Sequence, residues 1–388
     1  MAIDPARHSR TSAALAANSF DAILCSSPTE ILLVTGYWPV MGSSLAVFTA
    51  DGRVSVLVPE DEEDLAEKTS AAHILTYKPA GMDSLDSPSD RMQKPLAGML
   101  EGMKLSRARL GLQLTQGMQP ATYAVSNHYR TSVSDMVRQL LPDAQIDACD
   151  DLLEAMKAVK TAKELDSMRQ ACCVAAAGFA AVRDAIRPGA KETDVAAAAH
   201  AAFSTAPEAE RLHRSYGYFF CMSGPNSAKA AAAYARTRQR VLQQGDLVMV
   251  HANTCADGYW TDLTRTYTVG EPGERPQQMR AAIGEARSAA LASIRPGVTG
   301  AQVDGAARSV MTAHGFGEAF KHSTGHGVGF AAANPNGRPR IHPLSPDVLE
   351  QGMTFNVEPA AYFDGYGGMR HCDVVAVTAD GVEVLSNF

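Results

Sequence analysis

The chain of 388 residues is long enough for two domains or one large one with a sizeable core. With 46% hydrophobic and 20% charged residues it has an ordinary globular make-up, and a net charge of −7 gives no ground for a nucleic-acid or anionic-membrane partner. No apolar run approaches the roughly 18 residues of a membrane span. The opening MAIDPARHSR lacks the order of a secretory leader, and the seven scattered cysteines show no CxxC pair, so a reducing, cytoplasmic setting is expected.

The first 150 residues alternate short strand-like runs (FDAILCSS, EILLVTGY, SLAVFTA, RVSVLVP) with helical stretches such as EDEEDLAEKTSAA. That alternation predicts a small α/β domain over 1–150. From Asp150 an Ala-rich, helix-favouring stretch runs to Arg187-Pro188-Gly189 and opens a second domain, 151–388. Cys172-Cys173 within it read as small core residues.

The second domain contains an internal repeat. IRPG begins at Ile186 and again at Ile294, 108 residues later, each time after a helix with a Met-Arg pair at Met168 or Met279. LQQGDLVMV and LEQGMTFNV place Gly245 and Gly352 107 residues apart, and each leads into a hairpin. Two anchors at nearly one offset imply a duplicated helix–helix–hairpin unit, with halves at about 165–270 and 275–380.

In the first hairpin, Asp257-Gly258 is a strong turn signal. A turn centred between Ala256 and Asp257 sets His251 opposite Asp262. In the second, a turn centred near Gly365 sets Glu358 opposite Cys372. Adding the 107-residue offset to 251 gives 358, so His251 and Glu358 are equivalent in the two halves. Between the hairpins lies FKHSTGHGVGF, where glycines flank His326 and His322 stands four residues before it. His, Asp, Glu and Cys all suit a borderline metal. Taken singly, a strand His is more often a hydrogen-bonded structural residue, a buried Cys an inert packer, and a Gly-flanked His a loop residue. The convergence of the set is what points to chemistry. His8, His73, His128, His200 and His342 stay with the structural reading.

The motifs AVKTAKELDSMRQA, SGPNSA, GYWTDLTRT, HSTGHGVG, QGMTFNVEP and GMRHCD resemble the pita-bread family of methionine aminopeptidase, aminopeptidase P, prolidase and creatinase. The resemblance covers nearly the whole chain. It implies an α/β (α+β) pita-bread C-terminal domain with a pseudo-two-fold repeat, plus a smaller creatinase-like N-terminal domain. The family's peptidases hold two metal ions with two Asp, one His and two Glu. Carried across, these positions fall on His251, Asp262, His326, Glu358 and Cys372, so the first Asp and last Glu are replaced. The family's accessory histidines are missing too: one position is Ala333, and GPNSAKAAAAYARTR contains none. His322 keeps a third.

The resemblance therefore implies a creatinase-like hydrolase cleaving an amide or amidino C–N bond of a small polar metabolite. Glu358, His326, His251 and Cys372 are its catalytic candidates, with His322 and Arg370 positioning the substrate. Its cofactor is either none or a single zinc or manganese ion on Asp262, His326 and Glu358, completed by His251 or Cys372, rather than the usual dinuclear pair. The alternatives are a metal-dependent Xaa-Pro dipeptidase or aminopeptidase, a lyase, or a non-catalytic binding scaffold on the same fold. Relatives of this two-domain type also imply a homodimer in which GYWPVMGSS (Gly36–Ser44) closes the partner's pocket.

Overall fold

The structure, a computed structural model, describes residues 4–40, 44–69, 71, 73–114, 132–232, 236–333 and 337–388. By internal contacts the chain forms two compact units, Met1–Lys157 and Ala158–Phe388, a division seven residues beyond the break in sequence texture at Asp150.

The first unit contains α1 (Pro5–Ala17), β1 (Ala22–Cys25), α2 (Pro28–Thr35), β2 (Leu45–Thr49), β3 (Val54–Pro59), α3 (Glu63–Ala66), β4 (His73–Tyr77), α4 (Pro88–Gly102), β5 (Arg109–Leu112), α5 (Val133–Leu140) and β6 (Gln145–Ala148). The strands form one six-stranded sheet in the order β4-β3-β2-β1-β5-β6. β1, β2 and β3 pair antiparallel, and β4, β5 and β6 join in parallel. β1, β2 and β3 are buried on both faces, which is why they read as unbroken apolar runs. EILLVTGY, expected as a strand, is instead α2, started by Ser27 capping Glu30 N and Pro at its first turn. Short apolar runs do not separate strand from buried helix by pattern, and the cap decides. Within Gly36–Ser44, Tyr37 is buried and donates to Glu62. Residues 41–43 of that segment, and His128, lie outside the described residues. His8 and His200 hydrogen-bond to backbone at Gly52 and Phe219.

A short helix, α6 (Asp150–Ala158), precedes the second unit. The duplication is visible there in the order of elements: α7 (Ala162–Ala185), α8 (Glu192–Ser204), β7 (Ser215–Ser223), β8 (Leu247–Ala256) and β9 (Tyr259–Thr268), then α9 (Glu274–Ser293), α10 (Gly300–Ala313), β10 (Thr354–Val357), β11 (Ala360–Phe363), β12 (Gly367–Arg370), β13 (Asp373–Val377) and β14 (Val382–Val384). Each IRPG ends a long helix at its Ile, since Ile186 and Ile294 take extended backbone angles. The helix after each then starts on an N-terminal cap, Lys191 with Asp194 and Thr299 with Gln302. Met279, Ile283, Val303, Met311, Phe355 and Val357 lie in the core cluster beneath the second half's strands. Among the described residues no helix is long and apolar enough to cross a membrane.

Candidate active site

The first hairpin turns at Asp257-Gly258, with φ of +47° and +91°, the left-handed pair that a two-residue turn of this kind requires. Ala256 pairs with Tyr259, so the turn lies one residue later than the spacing suggests and the register slides by two. His251 is therefore opposite Thr264, and Asp262 is opposite Asn253, which corrects the expected 251–262 pair. Side chains alternate with a period of two, so the slide leaves His251 and Asp262 on one face. His251 Nδ1 lies 3.7 Å from Asp262 Oδ1, a diagonal neighbour rather than a direct one.

In the second hairpin Val357 pairs with Asp373 and Ala360 with Arg370, the register that a centre at Gly365 gives. Cys372 makes its backbone bonds to the other hairpin: its N–H donates to Thr264 O (3.0 Å), and Thr264 N–H donates to Cys372 O (3.3 Å). Arg265 fastens this junction by donating to Thr264 O, Cys372 O and Asp373 Oδ1 at 3.0, 2.7 and 2.8 Å. Asp373 also accepts from Arg287 Nε (2.5 Å), His371 Nε2 (3.1 Å) and Ser386 Oγ (2.8 Å). Burial opposes its charge, but His371 and the two guanidiniums win and hold the carboxyl well below the usual range.

His326 is presented by a loop pressed against β10. A Cβ on Gly325 would lie 1.8 Å from the Asn356 carbonyl oxygen, so only glycine fits that approach. Asn356 then fixes the imidazole. Its Oδ1 accepts the His326 backbone N–H (2.7 Å), which leaves its amide Nδ2–H facing His326 Nε2 (3.2 Å). Nε2 must therefore be an acceptor, and Nδ1–H donates to Gly327 O (3.2 Å). The Nε2 atom so prepared lies 3.6 Å from Asp262 Oδ2.

Asp262, Glu358 and Cys372, all buried, each offer a ligand atom within 4.8 Å of the others. Among the described residues neither carboxylate receives an N–H or O–H hydrogen bond. Asp262 has the Cys372 thiol at 3.7 Å, and Glu358 has Arg370 Nη1 at 3.5 Å and His322 Nδ1 at 4.0 Å. Two buried carboxylates without such donors, one of them beside an acceptor nitrogen, call for a cation. The residues present fit one divalent ion on Asp262, Glu358 and Cys372, and His326 Nε2, 3.6 Å from Asp262, joins them by giving up its bond to Asn356.

The other end of the cluster is already occupied. Arg370 is buried and donates through Nη2 to His251 Nδ1 and through Nε to Thr264 Oγ1, both at 3.0 Å. His251 Nδ1 is thus an acceptor, and its Nε2–H donates to Asn253 Oδ1 (3.2 Å). Its Nδ1 already faces a buried guanidinium, where a metal cation cannot enter, so His251 stands outside the ligand-competent group. Burial brings its pKa down to about 4; Asp262 opposes and Arg370 adds to the shift. A histidine so neutral is a poor proton carrier near pH 7. Burial, then Asp262 and Glu358, push the Cys372 thiol up, which disfavours a free thiolate nucleophile. His322 donates from Nδ1 to Ser323 O (2.7 Å) and accepts the Tyr362 hydroxyl at Nε2 (3.0 Å). It is likewise kept neutral, chiefly by burial.

Several functional neighbours went unread in the sequence. Asn253 and Thr264 lie two residues from His251 and Asp262, so strand alternation alone places them on the same face. Asn356, two residues before Glu358, carries that signal as well. Tyr362 had no such mark.

Duplicated helix–helix–hairpin halves closing on carboxylates and imidazoles define the architecture shared by a class of peptidases and creatinases. The chain belongs to metallopeptidase family M24, matched over residues 166–379, with a creatinase/prolidase N-terminal domain over 7–159. It is 38% identical over 238 residues to a probable dipeptidase PepE of Mycobacterium bovis, a stretch spanning 61% of this chain and 60% of that relative. It is 26% identical to an Xaa-Pro dipeptidase of Pyrococcus horikoshii over 95% of this chain and 93% of that one. An agropine synthesis cyclase of Rhizobium rhizogenes is 30% identical over 71% of this chain and 72% of its own. Among solved structures, the prolidase from Pyrococcus horikoshii OT3 has a TM-score of 0.79 at 24% identity, covering 98% of each chain. Dipeptidase PepE from Mycobacterium ulcerans has a TM-score of 0.76 at 26% identity, covering 100% of this chain and 98% of its own.

Proposed function

We propose that the chain hydrolyses an amide C–N bond in a compact substrate of dipeptide size, with Glu358 moving the proton. The observation that carries this is the pair of buried carboxylates, Asp262 and Glu358, without N–H or O–H donors among the described residues and grouped with the Cys372 sulfur. The names of the relatives, dipeptidase and Xaa-Pro dipeptidase, support a peptide substrate over a free metabolite.

Asp262, Glu358 and Cys372, with His326 within reach of Asp262, would hold a divalent cation, which would supply Lewis acidity toward the carbonyl oxygen and the attacking water. The chain's own groups do the rest. Glu358 accepts a proton from water as its oxygen bonds to the carbonyl carbon. The tetrahedral adduct then collapses, the C–N bond breaks, and Glu358 returns that proton to the leaving nitrogen. Arg370, whose Nη1 lies 3.5 Å from Glu358, neutralises charge that develops on the carbonyl oxygen. Tyr362 and Ser323 lock His322, so its ring serves as a wall rather than a proton carrier.

A second reading, a creatinase-like hydrolase of a small polar amide or amidine, is favoured by one observation. Arg370 is seated on His251, so one end of the cluster is shaped by a protein cation rather than by a metal. The relative named as a cyclase is also consistent with substrates other than peptides in this family. Purified chain loaded separately with zinc, cobalt and manganese, and offered Xaa-Pro and other dipeptides beside small amides and amidines, separates the two. Cleavage of dipeptides that is lost in Glu358→Gln is the expected result. Turnover of the metabolites alone moves the assignment to the second reading. No C–N cleavage on either panel, under any loading, refutes both.

A further inference from the structure

We propose that Cys372 is a thiolate ligand to a single divalent cation, and that it makes the centre select zinc, cobalt or iron(II) over manganese. The proposal rests on the reading above only for the purpose of the ion.

The first support is position. Cys372 Sγ lies 3.1 Å from the Asp262 main-chain oxygen and 3.7 Å from its Oδ1, and Glu358 completes a group whose ligand atoms all fall within 4.8 Å. Zinc bonds of about 2.0 Å to oxygen and about 2.3 Å to sulfur need donors about 3–4.5 Å apart, which this group already approaches. The second support is chemistry. His326 Nε2 lies 3.6 Å from Asp262 Oδ2 and, released by Asn356, adds one nitrogen to the one sulfur and two carboxylates. Thiolate and imidazole favour borderline ions, whereas manganese and magnesium prefer oxygen throughout.

The third support is the limit to one ion. The Arg370 guanidinium lies 3.0 Å from His251 Nδ1 and 3.5 Å from Glu358 Oε2, so the far end of the cluster already holds a positive charge. With Asp262, Glu358 and a Cys372 thiolate each −1, Arg370 +1 and the ion +2, the buried set sums to zero. A second divalent ion would leave +2 in a desolvated pocket, an arrangement that burial penalises heavily. Cys372 itself is held by main-chain bonds to Thr264, so the sulfur is preset rather than recruited.

The test uses the full chain, stripped with a chelator and titrated with cobalt(II) in the absence of substrate. An intense sulfur-to-cobalt charge-transfer absorption saturating at one ion per chain is expected. It should be lost in Cys372→Ser and kept in Cys255→Ser, a buried cysteine on a different strand, β8. Should Cys372→Ser fail to fold, X-ray absorption of the zinc-loaded wild-type chain decides without a variant, by a sulfur neighbour at about 2.3 Å. Only nitrogen and oxygen neighbours, two ions per chain, no cobalt or zinc binding, or manganese displacing zinc at equal concentration would each overturn the proposal. A chain that ligates zinc through sulfur but cleaves no C–N bond refutes the hydrolase reading alone. A chain that cleaves with a sulfur-free centre refutes only this one.

Discussion

Replacing Asp373 by Asn keeps the shape of the side chain and removes its charge, at the point where the two hairpins are tied together. The carboxylate accepts four hydrogen bonds: Arg265 Nη2 and Ser386 Oγ on one oxygen, Arg287 Nε and His371 Nε2 on the other. An amide can serve one pair of donors, but its NH2 group then faces the other pair. Two bonds are lost, at least one of them from a guanidinium. Hydrogen bonds to charged groups contribute about 1.5–3 kcal/mol each. Arg287 is partly exposed and can turn to water, so the loss falls toward the lower end, about 3–4 kcal/mol. For a unit of this size each kcal/mol lowers the melting temperature by about 2–4 °C, which puts the expected fall on the order of 10 °C. Thermal unfolding followed by circular dichroism at neutral pH measures it. Arg169→Ala, which breaks a more exposed pair with Glu383, is the control and should move the transition by no more than a few degrees. A fall under about 3 °C for Asp373→Asn would mean that the junction is held by backbone pairing alone, and the reasoning would be wrong.

Glu358→Gln should lower kcat/KM by about 10²–10⁴-fold with the unfolding transition nearly unchanged, measured on whichever substrate the panel yields. Retained turnover would remove Glu358 as the proton carrier. Gly325→Ala brings a methyl to within 1.8 Å of the Asn356 carbonyl oxygen, so the loop must shift and carry His326 with it. The expected result is about 100-fold loss of activity or more, with a fall in stability of about 1–3 kcal/mol; a variant with unchanged activity would show that the close approach is relaxed in solution. Arg340 hydrogen-bonds Asp347 and holds its carboxyl below the usual range. Its folded pKa is thus lower than its unfolded one, so the stabilisation is present above the ordinary carboxylate range and disappears as pH falls through the lowered value. Asp347→Asn should therefore lower the urea midpoint at pH 7, and the gap from wild type should close in strong acid. A gap that persists there would point to lost packing instead.

Most of the frame of the second unit was legible because it is written twice. The two IRPG segments mark helix ends, and the paired Gly245 and Gly352 approach equivalent hairpins, so the convergence of four positions followed from counting. The register of the first hairpin did not follow. Asp257-Gly258 announced a turn but not which residues flank it, and a displacement of one residue in the turn moves every partner by two. The face survived only because two is the period of a strand. What no count along the chain reaches is who donates to whom. That Arg370 binds His251, or that Asn356 sets the proton of His326, depends on hydrogen bonds between segments 119 and 30 residues apart. Likewise the helix over Pro28–Thr35 was missed because the unbroken buried run Ile31, Leu32, Leu33 and Val34 carries no periodicity, and its identity lies in the cap at Ser27.

The bridge between Thr264 and Cys372 has a consequence for how this centre can change. Main-chain atoms of both hairpins fix the backbone at position 372, and the side chain adds only the thiol's hydrogen bond to the Asp262 main-chain oxygen. The position behaves as a fitting into which different donors can be set, while the strands around it stay in register. Exchanging sulfur for a carboxylate at that one residue would change the charge of the centre and the ions it prefers, and leave the architecture that delivers the donor untouched. On the proposed ligation by Cys372, metal preference and fold are separable, and a single codon is enough to move one without the other.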